Sequence, residues 1–476
     1  MIARRTLLKA GAGALSLTAL GSLQAAEDSP PAPTVAGGAK PHPLPSPAQI
    51  RWQEAEIGLL YDFILPTAVG NHNLRKVHDP KLYNPKSLDT EQWLDWAGDA
   101  GVRYAVFTAH HFSGFMQWQS DAYPYGLKQA AWKNGKGDVA ADFAESCRKR
   151  NIGCGFYYSV HINAYHQVWK YYVNWGKGKG TPEQAAYNRI CERQMDELTR
   201  KYGPLIQIWM DSGSITPSEG GADLVPIFEK NQPDSVFYSG TYRADVRWVG
   251  NESGHAGNPN YATMPILPGG RVGHKQWMQT PEHRKLLHSG DPNGNYWCPA
   301  MVDIPIRGRR GVHDWYWFPN KERGIYTADE LMTVYYNSVG RNSNMVVGIA
   351  VDPDGVVPQA DIDAMLAFGK ELKRRFGKAV AETSGKGAAL ELALPRPRRI
   401  DHVVLQEQIA QGERVREYTV EGLTGGDNWR ELAKGRSIGH KWIHRFDPVE
   451  VAKIRLRVTS STAEPRIRRM ACFATA

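Results

Sequence analysis

From Glu56 to about Phe376 the chain alternates short apolar runs with amphipathic stretches. Eight runs read as buried strands: Gly58–Leu65, Tyr104–His110, Gly153–Val160, Leu205–Asp211, Ser235–Gly240, Val246–Gly250, Tyr296–Asp303 and Asn344–Val351. Several of the intervals between them carry helical periodicity. Asp89–Ala100 places Trp93, Trp96 and Ala97 on one face. Asp138–Arg150 begins with an acid and ends in Arg148-Lys149-Arg150, the polarity a helix dipole favours. Glu183–Tyr202 is long and continuous, and Thr327–Val339 opens on a Thr-x-x-Glu capping box, Thr327 to Glu330. This alternation predicts an α/β chain, a (β/α)8-like TIM barrel over residues 51–378. The runs between 235 and 250 are weak, which predicts distortion of the barrel there.

After residue 378 the pattern changes to two-residue alternation. Ala388–Leu392, Asp401–Leu405, Arg416–Gly422, Lys441–Phe446, Val451–Thr459 and Arg466–Phe473 are separated by turn signals such as Gly425-Gly426-Asp427-Asn428. They predict a C-terminal antiparallel β-sandwich over 379–476.

Ahead of the barrel, residues 1–26 read as a Tat-type signal peptide. Arg4-Arg5 and Lys9 precede a mildly apolar run from Ala10 to Leu23 and the small pair Ala25-Ala26. That run is too short to span a membrane, so export to the periplasm or the extracellular space of a bacterium is expected, without stable membrane insertion. Residues 27–50, rich in Pro, Ala and Ser, read as a flexible linker.

The net charge of +9 changes little. Three of those charges lie in the leader and much of the remainder in the C-terminal segment. No basic cluster interleaves with aromatics, so a nucleic-acid partner is not expected. The five cysteines form no CxxC pair, which excludes a zinc ribbon and a redox motif. They read mainly as buried thiols, with one disulfide left open. The 15 Trp and 21 Tyr suit sugar-stacking sites and large cores alike.

Barrel strand ends converge on one face, and that face supplies the candidate chemistry. The first strand ends near Asp62. The second ends in His110-His111, followed by Trp118. The third offers Tyr157 and His161, and the fourth ends at Asp211. The sixth leads to Glu252. The seventh carries Trp297 and Asp303, with Trp315 and Trp317 in the loop beyond. Asp211 reads either as chemistry or as the N-cap of the following helix. Glu252 reads either as a reacting carboxyl or as a polar loop residue. His110 and His111 point to opposite faces of a regular strand, which disfavours a shared metal ion and suggests one sugar-binding and one packing histidine. There is no GxSxG elbow, P-loop, Rossmann fingerprint or HExxH. Two carboxylates with aromatic rings are the equipment of glycoside hydrolysis.

These motifs resemble glycoside hydrolase family 29, the α-L-fucosidases, and in particular its subgroup with narrower linkage preference. Thr108-Ala109-His110-His111-Phe112-Ser113-Gly114-Phe115 with Trp118 is similar to the family's Thr-Ala-Lys-His-His-Asp-Gly-Phe…Trp. Gly155-Phe156-Tyr157-Tyr158-Ser159 parallels its Gly-x-Tyr-x-Ser strand, and Trp209-Met210-Asp211 its Trp-Phe-Asp. Arg247-Trp248-Val249-Gly250-Asn251-Glu252-Ser253-Gly254 resembles the subgroup's acid/base segment. Ser338-Val339-Gly340-Arg341-Asn342 precedes the last barrel strand as in the family, and the segments around Asp401 and Ser437 resemble its C-terminal sandwich.

The resemblance implies a retaining exo-glycosidase without cofactor or metal, acting on an oligosaccharide or glycoconjugate. Asp211 would be its nucleophile and Glu252 its acid/base. Asp62, His110, His111, Trp118, Tyr157, His161, Trp297 and Trp315 are the candidates for binding the substrate. The departures fall in the sugar pocket. Asp62 stands where a His is usual, His110 where a Lys is, Phe112 for the second His, Ser113 for Asp and Met301 for Glu. They predict machinery kept and sugar preference altered. The alternatives are an α-L-glycosidase of different specificity, such as an α-L-galactosidase, and a weakly active carbohydrate-binding protein.

Overall fold

The computed structural model describes residues 34–35, 43–71, 73–267, 270–272 and 280–475. The signal peptide and most of the expected linker lie outside the described residues. The linker's last eight positions are described, and four of them open a helix: Pro47–Ala55 is α1, because Ser46 caps it in a full capping box with Gln49 and a proline starts it.

Eight parallel strands form the first sheet: β1 (Ile57–Asp62), β2 (Tyr104–His110), β3 (Gly153–Tyr158), β4 (Gln207–Ser214), β5 (Val236–Gly240), β6 (Arg247–Trp248), β7 (Ala300–Pro305) and β8 (Ser343–Ala350). Their order is β5-β4-β3-β2-β1-β8-β7-β6, a barrel whose ladder is open between β5 and β6. Asp245 bridges that seam. Its N–H donates to the Phe237 carbonyl at 3.0 Å and its carboxylate accepts from the Phe237 N–H at 2.7 Å. The distortion predicted from the weak runs at 235–250 falls at this seam.

The strands that enclose the barrel are buried on both faces, so their sequences read as near-continuous apolar runs. Helix α2 (Thr90–Leu94) is shorter than its periodicity suggested, and hydrogen-bonded turns complete the stretch to Ala100. Helices α3 (Val139–Lys149) and α4 (Pro182–Arg200) follow the pattern closely, with Asp138 and Thr181 as caps. Helix α5 (Leu224–Asn231) leads into β5, and beyond the seam come α6 (Pro281–Ser289), α7 (Ala328–Asn337) and α8 (Gln359–Phe376). The capping box of Thr327 and Glu330 on α7 is formed as read.

Helix α1 closes the N-terminal end of the barrel. The fully buried Trp52 donates its indole N–H to Gln207 Oε1 at 2.6 Å and accepts from Asn344 Nδ2 at its carbonyl, also at 2.6 Å. Gln207 and Asn344 stand at the starts of β4 and β8, so the opposite, C-terminal mouth is the one left for chemistry.

Besides the two-residue strand Thr34–Val35, which pairs in parallel with its longest member, the C-terminal sheet has six antiparallel strands: β9 (Ala381–Lys386), β10 (Ala389–Glu407), β11 (Val415–Leu423), β12 (Trp429–Gly435), β13 (Trp442–Ser461) and β14 (Arg466–Phe473). They run in the order β9-β14-β10-β13-β11-β12 around their own apolar core. Four of the expected strands merge into two long ones, β10 and β13. Pro395, Pro397 and Pro448 each sit at a register shift of the β10–β13 ladder, where a missing N–H costs no pairing. The edge strands β9 and β12 were not foreseen, because half-exposed edge strands carry little apolar signal.

All five cysteines are buried and free, so the open question of a disulfide is answered in the negative. No described helix is long and apolar enough to cross a membrane.

Candidate active site

Strand side chains alternate between faces, so a barrel interior is built in layers. Leu60, Val106, Trp209, Met301 and Val346 belong to one buried apolar cluster inside the barrel. Two residues further along four of those strands stand Asp62, Thr108, Asp211 and Asp303. On β8 the equivalent step reaches Gly348. An ideal Cβ there would lie 2.5 Å from the Trp315 ring, so glycine is what lets that indole fold in from the β7–α7 loop. The apolar barrel interior is therefore capped by a polar layer at its C-terminal mouth.

Asp211 lies inside β4, and the next long helix, α5, begins only at Leu224, so the N-cap reading is excluded. The strand bulges at this point: Trp209 faces Tyr238 but Ser214 faces Gly240. Ser212 and Gly213 take left-handed backbone angles, φ 56° and 80°, which re-aim the carboxylate. A Cβ on Gly213 would stand 2.9 Å from the Ser239 carbonyl oxygen. The Tyr171 hydroxyl donates to the Ser212 carbonyl at 2.5 Å and pins the bulge from the β3 side. Tyr157 hydrogen-bonds to the Asp211 carboxyl, and its ring stacks on His111 with centroids 5.3 Å apart.

Glu252 arrives on the exposed loop after β6. Its Oε2 accepts from the Trp315 indole N–H at 3.1 Å and lies 2.7 Å from His313 Nε2. Asp62 accepts from the Thr108 hydroxyl at 2.7 Å, and Asp303 accepts from the Trp248 indole N–H at 2.7 Å.

Four carboxyls thus share one mouth, and they perturb one another. Burial pushes Asp62 up to about 7, with the charges of Asp211 and Glu252 adding to it against the Thr108 bond. Burial pushes Asp303 up to about 8, again with Glu252 and Asp211 contributing. Asp211 is also raised by burial, with Glu252 adding to it, while Tyr157 and Ser212 oppose the shift. Buried carboxyls pushed toward neutrality at one mouth are an acid/base arrangement.

The two histidines divide as strand alternation suggested. His110 points outward, beside Tyr158, with Nδ1 3.0 Å from the Ser159 carbonyl and Nε2 3.0 Å from the Tyr123 hydroxyl. Both ring nitrogens are taken up by the protein, so His110 supports the wall and is withdrawn as a sugar contact. His111 points into the mouth. Its Nε2 lies 3.0 Å from the Tyr316 hydroxyl and its Nδ1 has no protein partner. Burial lowers both imidazoles to about 3, so both are neutral.

Two further expectations are corrected. Trp118 is fully buried behind β2, with its N–H on Glu197 of α4 at 2.9 Å. Trp297 precedes β7, which begins only at Ala300, and donates to Gln53 of α1 at 3.0 Å. It therefore sits at the closed end of the barrel. His161 is on the rim, packed against Trp169 and Tyr171. Asp62, His111, Tyr157, Asp211, Glu252 and Trp315 come together at the mouth.

Sequence reasoning named Asp303 on the seventh strand and Thr108 in the second-strand motif without giving either a role, and passed over His313 and Tyr316. The first two were discoverable, since each lies two residues beyond an apolar barrel position. His313 and Tyr316 carry no such phase, being loop residues that meet Glu252 and His111 only in the folded chain. Among the described residues no group of three or more His, Cys, Asp or Glu is arranged to hold a metal ion.

The family model for α-L-fucosidases matches residues 70–376, which is most of the barrel. The chain belongs to the α-L-fucosidase family, glycoside hydrolase family 29. A Bacteroides thetaiotaomicron crystal structure assigned to the α-L-fucosidases superposes with TM-score 0.87 at 38% identity, covering 91% of this chain and all (100%) of that one. A glycoside hydrolase 29 member from a rumen bacterium gives TM-score 0.76 at 27% identity, over 92% of this chain and 78% of that one. Alpha-L-fucosidase 1 of Arabidopsis thaliana is 26% identical over 479 residues, 90% of this chain and 88% of its own length. The protein is therefore a glycoside hydrolase with a carbohydrate substrate.

Proposed function

We propose that this family 29 member is an exported, retaining exo-glycosidase that releases a terminal α-L-fucose, or a closely related L-sugar, from glycans. The observation that carries the proposal is the pairing of Asp211, on its bulge, with Glu252, on its loop, over one mouth lined by His111, Tyr157 and Trp315. In the first step the Asp211 carboxylate attacks the anomeric carbon, the glycosidic C–O bond breaks and Glu252 gives its proton to the leaving oxygen. In the second step water attacks the same carbon, Glu252 takes its proton and the bond to Asp211 breaks. The buried imidazole of His111, neutral and with Nδ1 open, suits a sugar hydroxyl.

Asp62 supports altered sugar preference. A buried carboxyl that already accepts from Thr108 presents different hydrogen-bond polarity from an imidazole, and a mismatched hydroxyl leaves it unpaired. An α-L-galactoside, with one more hydroxyl than a fucoside, is the second reading that this residue favours.

Comparing kcat/KM on aryl α-L-fucoside and aryl α-L-galactoside ranks the two. Proton NMR of the first anomer released tests the mechanism: retention of the α-configuration is expected, and initial β-sugar rules out double displacement. The Arg4-Arg5 leader supports Tat export to the periplasm or beyond. Replacing that pair with Lys should leave the enzyme in the cytoplasmic fraction; unchanged export refutes that route.

A further inference from the structure

Glu252 has an awkward position for an acid catalyst. Its side chain is 42% exposed and rides on a loop, so its rotamers must be restrained before a proton can be delivered in line. Restraint comes from a different loop, the one after β7. His313 Nε2 and Trp315 Nε1 both contact Oε2, at 2.7 and 3.1 Å, and neither contacts Oε1.

That second loop is itself anchored. Its second residue, Arg307, is fully buried and donates through Nε and Nη2 to Asp361 of α8 at 3.0–3.2 Å. The Asp314 N–H returns to the Arg307 carbonyl at 3.1 Å. Between the two contacts to Glu252, the Trp315 indole rests on the bare backbone of Gly348. The chain of support runs from Asp361 to Arg307, and from Gly348 through Trp315, to one oxygen of Glu252.

We infer that His313 and Trp315 are positioning residues for proton transfer, holding Oε2 so that Oε1 faces the glycosidic oxygen. Oε1 loses its proton as the leaving group departs, and the charge left on the carboxylate is met by the indole N–H on Oε2. In the second step Oε1 recovers a proton from water. Gly348 is part of this device because any side chain there unseats Trp315. The inference rests on Glu252 being the acid/base.

The test is leaving-group dependence. 2,4-Dinitrophenyl α-L-fucoside departs with little protonic help, whereas an unactivated fucosyl disaccharide needs it. Glu252→Ala should lose about 100-fold or more rate on the disaccharide relative to the activated substrate. His313→Ala and Gly348→Ala should lose in the same sense, by about 10-fold. His313→Gln, which keeps a donor, should recover part of the loss. His313 is 48% exposed, so its replacement leaves the fold intact even if the Gly348 variant fails to fold. Equal losses on both substrates in His313→Ala, with the split retained in Glu252→Ala, overturn the inference and spare the acid/base reading. Absence of the split in Glu252→Ala overturns both.

Discussion

His110 and His111 are neighbours in sequence with opposite duties. His110→Ala takes the imidazole from the Ser159 carbonyl and opens a cavity in a dry wall, and should cost about 2–3 kcal/mol in denaturant unfolding. His111→Ala removes an open nitrogen from the mouth, and should lower kcat/KM by about 10-fold or more at nearly unchanged stability. Asp303 yields a pH prediction. Its folded-state value of about 8 lies above the ordinary 3.8, so between those limits the folded chain keeps a proton that the unfolded chain has released. The stability this brings is complete below 3.8 and is lost as the pH rises through about 8. Asp303→Asn should therefore flatten the decline in Tm between pH 3.8 and about 8, as followed by thermal melts across that range.

At the scale of the element, the bulge in β4 does most to make a catalytic site from a strand end. A regular strand would aim Asp211 by simple alternation, whereas left-handed Ser212 and Gly213 turn it further. Gly213→Ala meets both an unfavourable φ and the Ser239 carbonyl, so it should cost about 1–3 kcal/mol. Activity should fall about 100-fold with it, because a carboxylate displaced by an ångström misses its reaction geometry. Activity assays beside melting curves separate the two effects. Element types were legible wherever burial imposes a period: barrel strands appear as apolar runs, and α3, α4 and α7 as capped stripes. Strand ends were less legible. Tyr296–Asp303 looked continuous, but strand pairing to β8 begins only at Ala300, which moved Trp297 away from the mouth.

In the whole molecule, the barrel and the C-terminal sheet are joined through Glu56, just before β1. Its carboxylate binds His440 Nε2 at 2.8 Å and Lys441 Nζ at 2.6 Å. Burial works to raise Glu56, but Lys441 and His440 overcome it and hold the group at about 2. Its contribution to stability is present above the ordinary 4.5 and is lost as the pH falls toward 2. Lys441→Met leaves that buried carboxylate with His440 in place of two partners, and should cost on the order of 2–3 kcal/mol in urea unfolding near neutral pH. The penalty should shrink in acid, where Glu56 can take up a proton.

The sequence by itself determined the eight-strand barrel, the sheet that follows it, and Asp211 and Glu252 as the leading carboxyls. Hydrophobic period and local motif are properties of neighbouring residues, and burial enforces them wherever the chain goes. Tertiary structure alone decided that Asp62 and Asp303 are buried and pushed toward neutrality at the mouth, that Trp118 and Trp297 lie away from it, and that His313 and Trp315 grip Glu252. Those facts depend on which distant segments meet. His313 and Glu252 are separated by 61 residues, and only closure of the barrel around its core brings them to 2.7 Å.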